Sequence, residues 1–252
     1  MENYIAEVIG TMILILLGDG VVANVVLNKT KGNNSGWIVI ATGWGLAVFT
    51  AVFVVGPVSG AHINPAVTLG IFIRDAVSGA ADPFTFDKML LYWLAQLTGA
   101  ALGAVLVWLA YFKHWKGTDP DGQLAVFSTG PAIRSYGWNL ITEIIGTWML
   151  VFGIFAIIGN ETTVGSLWAL TVGLLVWAIG LSLGGPTGYA INPARDLGPR
   201  IAHQLLPIPG KGSSDWGYSW VPIVGPLIGA ALAALLWVAL GWSSTFDAFF
   251  GL

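Results

Sequence analysis

Two stretches of twelve residues, one in each half of the chain, restrict its fold more than any other feature. They are Ser59-Gly60-Ala61-His62-Ile63-Asn64-Pro65-Ala66-Val67-Thr68-Leu69-Gly70 and Thr187-Gly188-Tyr189-Ala190-Ile191-Asn192-Pro193-Ala194-Arg195-Asp196-Leu197-Gly198. Eight of the twelve positions are identical or near-identical, and both stretches centre on Ile-Asn-Pro-Ala. Each reads as a helix start. Asn takes the N-cap and Pro the first helical position, where its missing N–H costs nothing. The glycine ahead of each lets the incoming chain turn sharply. A single Asn-Pro-Ala tripeptide would mean little, whereas a repeated frame around both copies is strong evidence of duplication.

A second echo sets the repeat length. Ala6-Glu7-Val8-Ile9-Gly10-Thr11 returns as Thr142-Glu143-Ile144-Ile145-Gly146-Thr147, half a chain later. The glutamates lie 136 residues apart and the Asn-Pro-Ala motifs 128, so the insertions differ between halves. With 56% hydrophobic and only 9% charged residues, against about 25% charged in soluble domains, the chain reads as an all-α polytopic membrane protein. Six apolar stretches reach the ~20 residues that cross a bilayer: Tyr4–Leu27, Trp37–Val55, Met89–Phe112, Trp138–Ile158, Val164–Leu183 and Trp220–Trp242. Their only charges are Glu7, Asp19 and Glu143. The first stretch has neither a basic start nor a small-residue cleavage site, and it reads as a span.

Three spans per half is an odd number, so the second half enters the membrane from the opposite side, as an inverted repeat. The segments Asn64–Arg74 and Asn192–Leu206 are too short to span, and Gly198-Pro199 interrupts the second. They read as re-entrant half-helices. Their Gly/Pro-rich lead-ins, Gly56–Ile63 and Gly184–Ile191, survive at membrane depth only if buried in protein or lining a wet cavity. Gly99-x-x-x-Gly103 and Gly225-x-x-x-Gly229 with Ala233 place small residues where helices can pack closely. The expectation is one channel domain over 1–252, with repeats at about 1–112 and 138–245. Between them an external loop, 113–137, folds over the pore mouth.

Inverted symmetry brings two helix N-termini together near the midplane, each with unpaired N–H groups and partial positive charge. As N-caps, Asn64 and Asn192 commit their oxygens to their own helices, which leaves the NH₂ groups free to face the opening. The backbones of Gly60-Ala61-His62-Ile63 and Gly188-Tyr189-Ala190-Ile191 then offer a line of carbonyl acceptors, opposite an apolar wall. Such a path suits neutral hydroxylated molecules, and the dipoles disfavour cations. Other chemistry has little support. There are no cysteines, and His62, His114 and His203 have no Cys or acidic ligands at matching spacing, so no metal or cofactor is expected. No nucleophile–base pair suggests an enzyme, and a net charge of −3 points to no nucleic-acid partner.

On these residues the chain resembles the aquaporin superfamily, the major intrinsic proteins, across essentially its whole length. Asp196 in Asn-Pro-Ala-Arg-Asp, Arg200 and Pro222 make it more similar to the glycerol facilitators (aquaglyceroporins) than to strict water channels, while Ile223 departs from their common Leu. The resemblance implies a selectivity filter of Trp44, Gly180, Tyr189 and Arg195. Gly180 stands where water channels tend to carry His, which widens the bore, and Tyr189 replaces the usual Phe. It further implies a homotetramer, each protomer with its own pore, in the cell membrane. Glycerol and water would pass down their gradients, with dihydroxyacetone, urea and neutral small acids as further solutes. A mainly water-selective channel is the near alternative. A proton-coupled secondary transporter using Glu7 or Glu143 is the distant one.

The same glutamates have a plainer reading, as acceptors for the backbone N–H groups of the re-entrant loops. Asp196 either binds solute or stabilises its own helix N-terminus. His62 is either a ligand or pH sensor, or simply a pore-lining carbonyl. Orientation is contested. Lys29, Lys31, Lys113, Lys116, Arg134, Arg200 and Lys211 lie on one side and Arg74 and Lys88 on the other. Positive-inside counting puts the first group in the cytoplasm, whereas the resemblance puts the N-terminus there.

Overall fold

The computed structural model describes residues 1–159 and 165–242. Val164, the start of the fifth apolar stretch, and the end of the second repeat at 243–245 lie outside the described residues. The helices are α1 (Glu2–Val26), α2 (Trp37–Ser59), α3 (Pro65–Ser78), α4 (Phe86–Ala110), α5 (Pro120–Phe127), α6 (Tyr136–Gly159), α7 (Trp168–Leu183), α8 (Pro193–Leu205) and α9 (Val221–Ala239). Among the described residues there are no strands. Six helical stretches are long and apolar enough to cross a membrane: α1, α2, α4, α6, Gly165–Leu183 and α9. They are apolar on every side because one face meets protein and the other lipid. Leu46, Phe53, Leu94 and Trp138 are exposed on the outside, while Ile15, Ala47, Ala104 and Ala233 are buried inside.

Packing repeats with the sequence. α4 lies along α1 as α9 lies along α6; α3 packs on α9 as α8 packs on α4; α2 and α7 close the ring between the halves. This is an aquaporin-type inverted repeat of three spans and a half-helix. The small residues fix how close the helices come. A Cβ at Gly103 would lie 2.7 Å from the Met12 carbonyl oxygen, and Gly99 would strike Val8. On the other side of the pseudo-twofold, Gly225 would come within 2.7 Å of Glu143 Cβ and Gly229 would strike Ile144. The small-residue faces pack inside the protomer. In lipid this close van der Waals approach replaces the hydrophobic drive.

Three further expectations shift. α2 stays helical through Pro57 to Ser59, so the first lead-in is shorter than Gly56–Ile63. The helix ends in a left-handed Gly60 at φ 80°, whose N–H bonds the Gly56 carbonyl at 2.9 Å. Gly198-Pro199 does not interrupt α8, which continues to Leu205. Arg200 is not a loop charge. It sits on α8 and is fully buried, so it drops out of the orientation count.

The segment between the halves is partly ordered into α5, capped by Asp119, whose carboxylate accepts the Gly122 N–H at 2.8 Å. Trp115 pins it. Its ring is fully buried, stacks on Phe127 at 5.3 Å and donates from Nε1 to the Trp108 carbonyl at 3.0 Å.

Candidate functional site

The two half-helices meet at their N-termini. Asn64 accepts the Ala66 N–H at 2.8 Å, and Asn192 accepts those of Ala194 and Arg195 at 3.0 and 3.2 Å. Each is therefore a true N-cap. Their amide groups are less free than the sequence suggests. Asn64 Nδ2 donates to the Ile191 carbonyl at 2.8 Å, and Asn192 Nδ2 to the Ile63 carbonyl at 2.9 Å. A buried NH₂ has two donors, so this cross-brace uses one and leaves one per Asn. Ile63 and Ile191 correspondingly spend acceptor capacity on the brace.

The loops leading in are held in an uncommon backbone. Gly60, Ala61 and Ile63 have φ of 80°, 49° and 43°; Gly188, Tyr189 and Ile191 have 79°, 37° and 42°. A left-handed β-branched residue is an outlier that surroundings must over-determine. The glutamates supply that restraint. Glu7 Oε1 accepts from Ser59 Oγ at 2.7 Å and His62 N at 2.9 Å; Oε2 accepts from Ile63 N and Gln96 Nε2, both at 2.7 Å. Glu143 accepts from Thr187 Oγ1 at 2.6 Å, Ala190 N at 3.0 Å and Ile191 N at 2.9 Å. Both carboxylates are buried, and each accepts two backbone N–H groups of its loop alongside side-chain donors. The carbonyls of Gly60, Ala61, His62, Gly188, Tyr189 and Ala190 accept no hydrogen bond from any described residue. Gly60 is exposed and Gly188 half-buried, whereas Ala61, His62, Tyr189 and Ala190 are buried; buried carbonyls need partners, so these four are available to whatever occupies the space beside them.

That space is a narrow cavity with about 60 Å³ for water-sized molecules. It is lined by the loop residues Ala61 to Asn64 and Gly188 to Asn192 and by the aliphatic residues Leu14, Val48, Val52, Val67, Leu150, Ile154, Val172 and Val176. Trp44, Tyr189 and Arg195 line it as well. It adjoins a wider vestibule of about 350 Å³ lined by Gly60, His62, Arg74 and Trp168 among others. The His62 ring packs between Phe84 and Tyr92, at 5.0 and 4.8 Å, with Nδ1 3.2 Å from Thr68 Oγ1.

The filter candidates do not all sit alike. Arg195 lies over the Trp44 ring, 4.2 Å from guanidinium carbon to centroid, and Nη1 donates to the Phe127 carbonyl at 3.2 Å. Gly180 adjoins Tyr189 and is not one of the residues named above as lining the cavity. Its carbonyl accepts from Trp37 Nε1 at 2.9 Å. A Cβ there would meet Tyr189 Cζ at 2.7 Å. Gly180 makes room for the Tyr189 ring, which leans edge-on to Trp37 at 5.8 Å. The Tyr189 hydroxyl is buried without a partner among the described residues.

Asp196 faces away from the cavity. Its Oδ2 accepts from Thr129 N and Thr129 Oγ1, both at 2.8 Å, and Arg200 closes on it from Nε at 2.8 Å and Nη2 at 2.9 Å. Arg200 spends its other donors on the carbonyls of Ser214, Asp215 and Thr129. This buried pair straps the segment after α5 to α8 beside Arg195, while Asp196 also lies in the first turn of its own helix. Asp19, Gln96 and Phe127 also contribute to the site. In the sequence Asp19 stands out only as one of three intramembrane charges, and Gln96 and Phe127 carry no local signal. Among the described residues no group of three or more His, Cys, Asp or Glu could hold a metal.

Six spans around two half-helices that meet tip to tip define a multi-pass membrane channel. The chain belongs to the major intrinsic protein family, whose sequence model matches residues 1–237. It is 62% identical over 239 residues to a probable glycerol uptake facilitator protein of Thermotoga maritima, covering 94% of this chain and 98% of that one. It is 55% identical over 237 residues to glycerol uptake facilitator protein 3 of Lactiplantibacillus plantarum, covering 94% and 95%. Among solved structures it resembles the aquaglyceroporin from Plasmodium falciparum, with a TM-score of 0.80, 31% identity and 94% of each chain covered.

Proposed function

We propose that this protein is a passive cell-membrane channel for glycerol and related small neutral polyols, which pass in single file with water. The observation that carries the reading is the mixed lining of the cavity: loop residues whose carbonyls are unpaired among the described residues, together with aliphatic residues from the helices. A polyol has hydroxyls on one edge and C–H on the other, so both of its faces find a match. In this reading Trp44 and Tyr189 form an apolar corner at the filter, and Arg195 donates to neighbouring hydroxyls from its planar fork. Asn64 and Asn192 each offer one remaining N–H at the centre. The whole chain acts as one channel domain, and four copies, each with its own pore, form the assembly. Dihydroxyacetone and urea fit the same path.

The hydrogen bonding of Glu7 and Glu143 to backbone and side-chain donors supports passive flow over proton coupling. Stopped-flow light scattering on proteoliposomes tests the point. Glycerol flux should be rapid and unchanged by an imposed pH gradient; flux that follows the gradient would establish the transporter instead.

Gly180 provides a second test. A histidine there has to displace the Tyr189 ring toward the cavity, since Cβ alone comes within 2.7 Å of it. Gly180→His should cut glycerol flux at least about tenfold, a barrier increase of roughly 1.4 kcal/mol, and water flux much less. Equal loss of both would remove Gly180 and Tyr189 from the filter.

A further inference from the structure

The charge in the cavity wall has a counter-charge behind it. Asp19, on α1, is fully buried, and its Oδ1 lies 3.3 Å from Arg195 Nη1. Neither carboxylate oxygen has a hydrogen-bond partner among the described residues. Its neighbour Gly18 lies against the face of Trp44, where any Cβ would strike the ring. Gly18 and Asp19 thus back the two side chains, Trp44 and Arg195, that lie on each other.

The inverted repeat shows that this is no requirement of the fold. The offset between Glu7 and Glu143 carries Asp19 onto Phe155, and the offset between the Asn-Pro-Ala motifs carries Arg195 onto Val67. Both partners become apolar together in the other half. The pair is a local break in the symmetry of the molecule, and its two members stand or fall as one electrostatic unit.

We propose that Asp19 sets the charge selectivity of the filter by cancelling most of the Arg195 charge in the lumen. This rests on reading Trp44, Tyr189 and Arg195 as the filter. An unmasked guanidinium would repel cations but attract small anions, and the narrow apolar wall would strengthen that attraction. With the carboxylate 3.3 Å behind it, the guanidinium keeps its hydrogen-bond fork for polyols while the potential before it falls. The filter then favours neither sign. Asp19 acts through Arg195 and is a positioning and charge-balancing residue, out of contact with solute.

The experiment uses the full chain in liposomes, with nitrate and potassium as probe ions. Nitrate entry is followed by light scattering under a potassium nitrate gradient with valinomycin; potassium entry is followed separately by potassium-dependent dye fluorescence without the ionophore. Asp19→Asn should raise nitrate flux roughly tenfold or more above wild type. The double change Asp19→Asn with Arg195→Val should bring it back to the wild-type level. Nitrate flux at the wild-type level in folded Asp19→Asn would overturn the proposal. If that variant does not fold, Arg195→Val decides, because it leaves the carboxylate alone in the wall. Its potassium flux should exceed that of the double variant, and equal fluxes would overturn the proposal. Glycerol flux in the same vesicles tests the filter separately. If glycerol responds to Arg195→Val while neither ion flux depends on residue 19, only the Asp19 role fails. If glycerol is also indifferent, the filter assignment fails first.

Discussion

Glu143→Gln should lower the stability of the detergent-solubilised channel by about 2–4 kcal/mol, read as a fall in melting temperature and a severalfold lower yield of folded protein. Glutamine keeps one acceptor oxygen for Thr187 and Ala190, but its NH₂ then faces the Ile191 N–H, which Glu143 Oε2 now accepts at 2.9 Å. That leaves a buried donor against a donor, beside a residue already strained at φ 42°. The matching change Glu7→Gln should cost a similar amount. Gln96 sits beside Glu7 with its Oε1 unpartnered, and rotating its amide would offer an acceptor to the new NH₂ but give up its donation to Thr68 Oγ1 at 2.9 Å. Ile63 would still lack its bond. In neither variant should glycerol flux become proton-dependent. Unchanged melting temperatures would mean that the glutamates do not hold the loops, and proton uptake with solute, lost in either variant, would restore the transporter reading.

Arg195→Val should open the channel to ions. Arg195 is three residues past Asn192, in the first turn of a half-helix whose dipole disfavours a cation. Three contacts offset that placement: the Trp44 face, the Phe127 carbonyl and the Asp19 carboxylate. Valine occupies the same place in the first repeat, so the fold accommodates its shape. The loss is electrostatic. With the guanidinium gone and Asp19 exposed to the cavity, a cation meets attraction where the intact pair was close to neutral. Proton or potassium leak should rise at least about tenfold, while water flux is largely kept and the preference for glycerol over water falls. A folded Arg195→Val channel that stays tight to ions and keeps its glycerol preference would move the barrier to the half-helix dipoles alone. Stability should also drop, since removing one partner of a buried pair strands the other charge at a cost of about 3–5 kcal/mol. Adding Asp19→Asn should recover much of that loss.

A single sequence determined much of this protein because its strongest signals are local or periodic. Span length and apolar content marked the six membrane helices. Asn-Pro-Ala at a helix start marked the two half-helices, and duplication made the inverted repeat readable without any contact being known. The paired glutamates were recognisable for the same reason, since an acid occurring once per repeat beside a Gly-rich loop has an obvious use. What the sequence could not supply are partnerships between groups far apart in the chain. Whether an Asn amide is free or bonded to the Ile of the opposite loop depends on how closely two half-helices approach, and only packing decides that distance. Gly180 looked like pore wall; in three dimensions it also makes room for the Tyr189 ring. Arg200 looked like a loop charge and is instead buried, because Asp196 and three carbonyls converge on it from separate segments. Asp19 lies 176 positions from Arg195. Nothing in either neighbourhood names the other, and it took the crossing of α1 and α8 to bring an intramembrane acid to the cation Arg195 in the cavity wall.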